Sequence, residues 1–260
     1  MHIIACQLDI AWEDGPENRQ RVLAALAKQT VPAGSLIVLP EMYETGFTMD
    51  VDAACDPDGS SARFVGGLAR SYRSTVVAGV VEKDADGQGL NQVAVVGPDG
   101  GGVMRYTKMH PFTPGGESDH YRAGDAVVVF DCEGFKVSPL ICYDLRFPQR
   151  FREAVGLGAE VLVVIANWPS ARAAHWTALL TARAIENQAY VVGVNRVGHD
   201  PNHTYPGLST VIDPQGHTLI HADDKPAVLH ANVDLDALRT YRREFPVLDD
   251  MRGDPDSGPT

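Results

Sequence analysis

The chain has 260 residues, 44% of them hydrophobic and 22% charged, and a formal net charge of −12. This composition is that of a globular protein able to bury a sizeable core, and the acidic balance argues against nucleic acid or an anionic membrane as partner, since both need a basic face. No apolar run approaches the roughly 20 residues of a membrane span. No linker, charge block or repeat divides the middle, so residues 1–248 are expected to form one domain and the polar, Gly/Pro-bearing residues 249–260 a loose tail.

In chain order, the N-terminus lacks a basic leading region and Asp9 cuts its apolar run, so residues 3–8 read as a first strand rather than a signal peptide. Residues 17–29 follow as a helix, with Pro16 at its start and Val22, Leu23 and Leu26 on one side. A short apolar strand over 35–39 runs directly into Pro40 and Glu41, and 60–72 is a second helix. Strands over 75–82, 90–96 and 103–106 form a meander punctuated by Asp86-Gly87-Gln88-Gly89 and by the glycines around Pro98-Asp99. Residues 127–130 and 135–141 are expected to pair around Cys132-Glu133-Gly134; Pro139 is awkward there, because proline cannot donate to a ladder. A helix over 147–157 has Pro148 in its first turn, 161–166 is a buried strand, and 173–187 is a helix with Trp176, Leu179, Leu180 and Ala184 at helical spacing. Strands over 190–194, 210–212, 218–221 and 228–233 follow, and a last helix runs from near Leu235 to before Pro246. Strands mixed with helices and hairpins describe a layered α/β protein with mixed sheets.

Four charged or nucleophilic residues stand out by their settings. Cys142 lies in Pro139-Leu140-Ile141-Cys142-Tyr143-Asp144-Leu145-Arg146-Phe147-Pro148, at the turn from a strand into a helix. That is where α/β folds expose a nucleophile, and the backbone N–H of Tyr143 can point at an oxyanion. Free cysteines are also among the most buried residues, so the thiol alone decides little. A thiol of ordinary pKa, about 8.5, is only a few per cent thiolate at neutral pH and needs an activator. Glu41, at the carboxyl end of the strand 35–39, can take its proton if burial raises the carboxyl towards neutrality. Lys108, in Tyr106-Thr107-Lys108-Met109-His110, closes a strand. An ammonium within about 4 Å of a thiolate or oxyanion is worth up to roughly 4 kcal/mol at an effective dielectric near 20. Glu117 sits in the Gly-rich loop Gly115-Gly116-Glu117-Ser118-Asp119. Taken singly, each charge has an ordinary use as a solvated loop acid or a snorkelling lysine.

Together and in order, these four segments resemble the nitrilase, or carbon–nitrogen hydrolase, superfamily, from the first strand to about Phe245. The stretch 166–190, Ala-Asn-Trp-Pro-Ser-Ala-Arg onwards, is similar to the omega-amidase branch. The resemblance implies an α-β-β-α sandwich of two mixed sheets and a Glu41-Lys108-Cys142 triad, with Glu117 holding the lysine and helping to position substrate or shuttle a proton. It implies a thioester acyl-enzyme, no cofactor and no metal, and a homodimer or larger assembly that meets its partners through helices 147–157 and 173–187. Separately from the resemblance, Cys6, Cys55, Cys132 and Cys142 show no paired spacing and read as free thiols in a reducing cytoplasm. The substrate implied is the terminal amide of a small carboxylate-bearing compound, such as 2-oxoglutaramate or 2-oxosuccinamate. Other amidase, N-carbamoyl hydrolase or nitrilase activity, or a silent binding protein on this fold, are the alternatives.

Arg146 and Arg172 are the candidates for holding a substrate carboxylate, which the guanidinium fork matches bidentately; a salt bridge from Arg146 to Asp144 is the competing use. Tyr43 and Trp168 are candidate pocket walls, although core packing is the default for an aromatic, and Asn167 is a candidate hydrogen-bonding group. A Cys-His hydrolase using His110, His120 or His175 is the rival chemistry. His217 and His221, four apart along a strand, would lie about 13 Å from each other at roughly 3.3 Å per residue, too far to share an ion. His199 and His203 have no partner at ligand spacing.

Overall fold

The first strand shows how the chain builds its layers: Ile3 and Ala5 point to one side, Ile4 and Cys6 to the other, and all four are buried. A strand apolar on both faces must lie inside a sandwich. The structure, a computed structural model, describes residues 1–55 and 58–252. In chain order its strands and α-helices are β1 (His2–Gln7), α1 (Gly15–Leu26), β2 (Leu36–Val38), α2 (Val51–Ala54), α3 (Ser60–Tyr72), β3 (Thr75–Lys83), β4 (Gly89–Val96), β5 (Gly102–Thr107), β6 (Phe130–Cys132), β7 (Phe135–Ile141), α4 (Pro148–Gly156), β8 (Val161–Ala166), α5 (Ala173–Asn187), β9 (Tyr190–Asn195), β10 (Val197–His199), β11 (Thr204–Pro206), β12 (Thr210–Ile212), β13 (Thr218–His221), β14 (Ala227–Asn232) and α6 (Leu235–Glu244).

Two six-stranded sheets result, ordered β14-β1-β2-β3-β4-β5 and β13-β12-β9-β8-β7-β6. Each has three adjacent parallel strands, β1-β2-β3 and β7-β8-β9, flanked by antiparallel ones. Ile3, Ala5, Val38, Val77 and Val95 of the first sheet pack against Val137, Ile141, Val163, Ile165 and Val192 of the second. The outer face of the first sheet, with Ile4, Ile37, Val76 and Ala78, is covered by Val22 and Leu26 of α1 and Val65, Leu68 and Ala69 of α3. On the second, Leu140, Leu162, Val164 and Val191 meet Phe151 and Ala154 of α4 and Trp176, Leu180 and Ala184 of α5. These three apolar layers make the α-β-β-α sandwich, and the carboxyl ends of β2, β7 and β8 converge on one side of it.

Several boundaries differ from the sequence reading. Helix α1 starts earlier than residue 17, because Asp14 caps it by accepting from Glu17 N at 3.0 Å. The strand expected at 127–130 is instead β6, Phe130–Cys132, joined to β7 by Glu133 and Gly134, which both have positive φ (48° and 81°) as in a two-residue hairpin turn. Pro139 is tolerated because β6 pairs only as far as Val137, so its missing N–H faces no ladder on that edge. Helix α2 and the β10–β11 hairpin were not read from the sequence; strands of three residues are too short to show a period. Of the expected tail, residues 249 and 250 belong to a 3₁₀ turn, Val247–Asp250, and residues 253–260 lie outside the described residues. Among the described residues no helix is long and apolar enough to cross a membrane.

Candidate active site

Glu41 is delivered by a tight passage of backbone. After β2, Leu39 N donates to Val77 O at 2.8 Å, and Gly79 N to Pro40 O at 3.2 Å. The 40–42 backbone then lies so close to β3 that a Cβ on Gly79 would sit 2.5 Å from Glu41 Cα and 2.5 Å from Pro40 O. Both clashing atoms are backbone, so relief requires Glu41 itself to move. Gly79→Ala is therefore expected to cost about 1–3 kcal/mol, as for overpacking, and to reduce turnover in the same variant. Thermal unfolding alongside the kcat of the folded fraction checks this; a fully active, equally stable variant would contradict the packing argument.

Glu41, Lys108 and Glu117 meet in the interior, each at most 1% exposed. Lys108 Nζ donates to Glu41 Oε1 at 2.8 Å and to Glu117 Oε1 and Oε2 at 3.1 and 2.8 Å. Glu117, opening a 3₁₀ turn (Glu117–Asp119), also accepts from Phe112 N at 2.5 Å. Glu41 Oε2 accepts from Asn167 N at 2.8 Å, while Asn167 Nδ2 donates to Glu41 O at 2.8 Å. These last bonds join the carboxyl end of β2 in one sheet to that of β8 in the other.

Cys142 follows β7 at the start of a 3₁₀ turn (Cys142–Arg146), half-buried, with φ 46°. A non-glycine residue holds that left-handed backbone at a cost of about 1–3 kcal/mol, as nucleophiles on strand-to-helix turns do. Its Sγ lies 3.9 Å from Asn167 O and close enough to Glu41 to feel the charge of its carboxylate. Tyr143 N, in the first turn, is among the N–H groups that a helix leaves without an internal partner. Asp144 fastens this turn down. Its Oδ2 accepts from Tyr106 Oη at 2.7 Å and Ile141 N at 3.0 Å, and its Oδ1 from His110 N at 3.0 Å and from the His110 ring. Tyr106 and His110 flank Lys108 by two residues on either side, so one buried carboxylate fixes the lysine against the cysteine.

The electrostatics follow from this crowding. Burial opposes the charge on Lys108, but Glu117 and Glu41 outweigh it and hold the ammonium well above its ordinary range. Burial also works against the Glu41 carboxylate. Lys108, Asn91 and Asn167 overcome it, so Glu41 lies below its ordinary value rather than lifted towards neutrality as the sequence suggested. Glu117, buried beside the negative charge of Glu41, is pushed above its own. Burial and the Glu41 charge push the Cys142 thiol well up, with Lys108 opposing. The resting arrangement is a neutral thiol facing an ionised carboxylate.

Cys142 and Tyr143 open onto a cavity of about 520 Å³ that is also lined by Phe112, Asn167, Trp168, Arg146, Arg172, Trp12 and the β10–β11 hairpin. Arg146 does not pair with Asp144, whose lone pairs are already taken. Its guanidinium lies over Trp168 at 4.8 Å and bonds the His175 ring at 3.1 Å. Arg172 lies over Phe112 at 5.3 Å. Among the described residues neither arginine forms an ion pair with a carboxylate. Tyr43 is not a pocket wall: Met42, with φ 44°, turns the chain so that Tyr43 is buried under the first sheet, bonding Glu44 and stacking on Phe64. Among the described residues no histidine bonds Cys142; His110 is held by Asp144 and stacks on Phe147, and His175 serves Arg146. No group of three or more His, Cys, Asp or Glu among them is placed to hold a metal ion.

The sequence reading missed three residues here. Asn91 of β4 donates to both Glu41 Oε1 and Glu117 Oε1 at 2.8 Å; the amide pair Asn91-Gln92 in the otherwise apolar run 90–96 was the available signal. Asp144 was seen only as a possible partner of Arg146. Asn195, ending β9, accepts from Trp168 N at 2.7 Å and donates to Trp168 O at 3.1 Å, latching the 167–168 segment.

Known proteins resemble this chain over nearly its whole length. The omega-amidase YafV of Escherichia coli (strain K12) is 39% identical to this chain over 252 residues, 96% of each. The 2-oxoglutaramate amidase of Bacillus subtilis (strain 168) is 35% identical over 254 residues, 96% of this chain and 98% of its own. A CN-hydrolase superfamily protein from Xanthomonas campestris, crystallised with an arsenic adduct in its active site, superposes with a TM-score of 0.92 at 32% identity over 98% of both chains. The Carbon-nitrogen hydrolase family model matches residues 3–243, and the chain belongs to the carbon–nitrogen hydrolase family.

Proposed function

We propose that the protein is an omega-amidase, releasing ammonia from the terminal amide of a small 2-oxo dicarboxylate such as 2-oxoglutaramate or 2-oxosuccinamate. In this reading the Cys142 thiol gives its proton to Glu41 as sulfur attacks the amide carbonyl. The Lys108 ammonium and Tyr143 N–H hold the tetrahedral oxyanion. Glu41 returns the proton to the departing nitrogen, ammonia leaves, and a thioester remains; Glu41 then takes a proton from water, whose oxygen releases the acid. Glu117 anchors Lys108 throughout. The low proton affinity of Glu41 fits a group that accepts the proton only as the thiol becomes a nucleophile, and the neutral resting thiol agrees with it.

The observation that carries the substrate reading is the pair of guanidiniums, Arg146 and Arg172, lining the cavity of an acidic protein without carboxylate partners among the described residues. The names of the relatives support the same substrate class. A panel of 2-oxoglutaramate, 2-oxosuccinamate, neutral amides of equal length, N-carbamoyl compounds and nitriles, read by ammonia release, tests it. Arg146→Ala or Arg172→Ala is expected to raise KM for the anionic amide by about 10- to 150-fold, the equivalent of a charged hydrogen bond of about 1.5–3 kcal/mol, and to change neutral amides little. Faster hydrolysis of propionamide or a nitrile than of 2-oxoglutaramate by the unaltered enzyme would remove the substrate assignment and leave the thiol mechanism standing.

The same reading places the enzyme in the cytoplasm, which its four free cysteines support. It treats residues 1–248 as one catalytic unit, supported by the core shared between the sheets. A homodimer or larger assembly is supported by the exposed Leu157 and Ile185 at the ends of α4 and α5; light scattering that shows a monomer at micromolar concentration would count against it.

A further inference from the structure

Asn91 lies inside β4, 1% exposed, and its backbone carbonyl accepts from Lys108 N at 2.9 Å. Its side-chain nitrogen gives one proton to Glu41 Oε1 and the other to Glu117 Oε1, both at 2.8 Å. Lys108 Nζ donates to the same two oxygens at 2.8 and 3.1 Å. Two donors and two acceptors thus close a four-membered ring of hydrogen bonds. Both lone pairs of Glu41 Oε1 are engaged. Its Oε2 has one good bond, from Asn167 N at 2.8 Å, and a 3.3 Å contact with Asn167 Nδ2, which has a better acceptor in Glu41 O at 2.8 Å.

We infer that Asn91 is a positioning residue for the proton transfer, saturating Oε1 of both glutamates so that Glu41 takes and returns the thiol proton at Oε2 while Glu117 stays the anchor of Lys108. This rests on the catalytic reading above. In the step, the S–H bond breaks, an O–H bond forms at Oε2, and the sulfur electron pair makes the bond to the carbonyl carbon. A neutral amide suits the task because it supplies two protons and does not itself titrate at working pH. Among the described residues the buried Asn91 Oδ1 has no hydrogen-bond partner, so within them the side chain is held by its donor end. Both carboxyls are made more acidic by the Asn91 bond. The other groups facing them are Lys108 after β5, Cys142 after β7, Tyr121 beyond the 3₁₀ turn, Tyr205 on β11, and the Phe112 and Asn167 amides.

The test is the pH dependence of kcat and kcat/KM in Asn91→Ala and Asn91→Asp, with melting temperatures and a check for the wild-type acyl-enzyme. Asn91→Ala is expected to lose about tenfold or more in kcat with KM changed less than about threefold. The acid limb of kcat/KM should move up by about one pH unit, because both carboxyls then hold a proton more tightly. In Asn91→Asp the side chain keeps its size, and it can donate only when protonated; its activity relative to wild type should rise as pH falls. A residue that only fills space would lower the melting temperature and leave the acid limb where it is in both variants, and that result overturns the inference. If Asn91→Ala does not fold, Asn91→Asp decides alone, an activity ratio independent of pH being the contrary outcome. A wild-type enzyme that forms no acyl-enzyme at Cys142 would overturn the catalytic reading together with this one, whereas normal acylation with unshifted Asn91 variants would overturn only the role of Asn91.

Discussion

Cys142→Ala is expected to lose turnover by at least about 10⁴-fold, the scale seen when a covalent nucleophile is removed, and to fold as the parent does. The thiol is half-buried and makes only a long contact with Asn167 O, so little packing goes with it, and alanine still has to adopt the left-handed backbone that cysteine adopts at φ 46°. Cys142→Ser should be as inactive, since a hydroxyl is far harder to ionise than a thiol. The other cysteines provide the control. Cys6 is fully buried with its thiol pushed up to about 12 by desolvation. Cys132 is buried in the core between the sheets, and Cys55 lies outside the cavity lining. Replacing any of them should change stability at most, not kcat. Ammonia release with a parallel thermal melt checks this, and more than a few per cent residual activity in Cys142→Ala would contradict the assignment.

Glu41→Gln is expected to separate two roles of one carboxylate. Turnover should fall by about 10²–10⁴-fold, the usual worth of a general base, because an amide cannot accept the thiol proton. The resting thiol should nevertheless become more reactive. Burial and the Glu41 charge hold the proton on Cys142, while Lys108 pulls the other way; removing the negative neighbour leaves the positive one. In the parent, with a thiol raised above its ordinary range, alkylation by iodoacetamide should be slow at neutral pH and speed up as pH rises. In Glu41→Gln the same rise should begin at lower pH. Alkylation rates against pH, with the site of labelling mapped to Cys142, distinguish this from simple damage to the site. A Glu41→Gln thiol that alkylates more slowly at every pH would mean that the carboxylate organises the cysteine rather than holding its proton.

How much of this was legible in the sequence depends on distance along the chain. The buried strands declared themselves as apolar runs such as 161–166, and α5 by Trp176, Leu180 and Ala184 at helical spacing, because those signals are local. The two-sheet layering was not in the periodicity; it came from the likeness of the four motifs to a known superfamily. At the site, Glu41, Lys108, Glu117 and Cys142 were each marked by their neighbours, and the structure brings them together. Asn91 carried no such mark, since its importance lies in two carboxylates 50 and 26 residues away. The ionisation of Glu41 was misjudged for the same reason: burial is readable from a strand end, whereas an ammonium at 2.8 Å is not. Tyr43 was misplaced because one left-handed residue, Met42, reverses the direction of the side chain that follows it. The competing use of Arg146, a salt bridge to Asp144, is not made because Asp144, two residues away, is consumed by Tyr106, Ile141 and His110.

The most direct test of the central claim is the mass of the protein caught during turnover. Mixing the enzyme with 2-oxoglutaramate, quenching in acid within the first turnovers and mapping the modified peptide should show the acyl group, substrate minus ammonia, as a thioester on Cys142. That adduct should be absent from Cys142→Ala and should decay when the substrate is exhausted. Steady ammonia release with no adduct on Cys142 and with activity retained in Cys142→Ala would contradict a covalent thiol mechanism at this site.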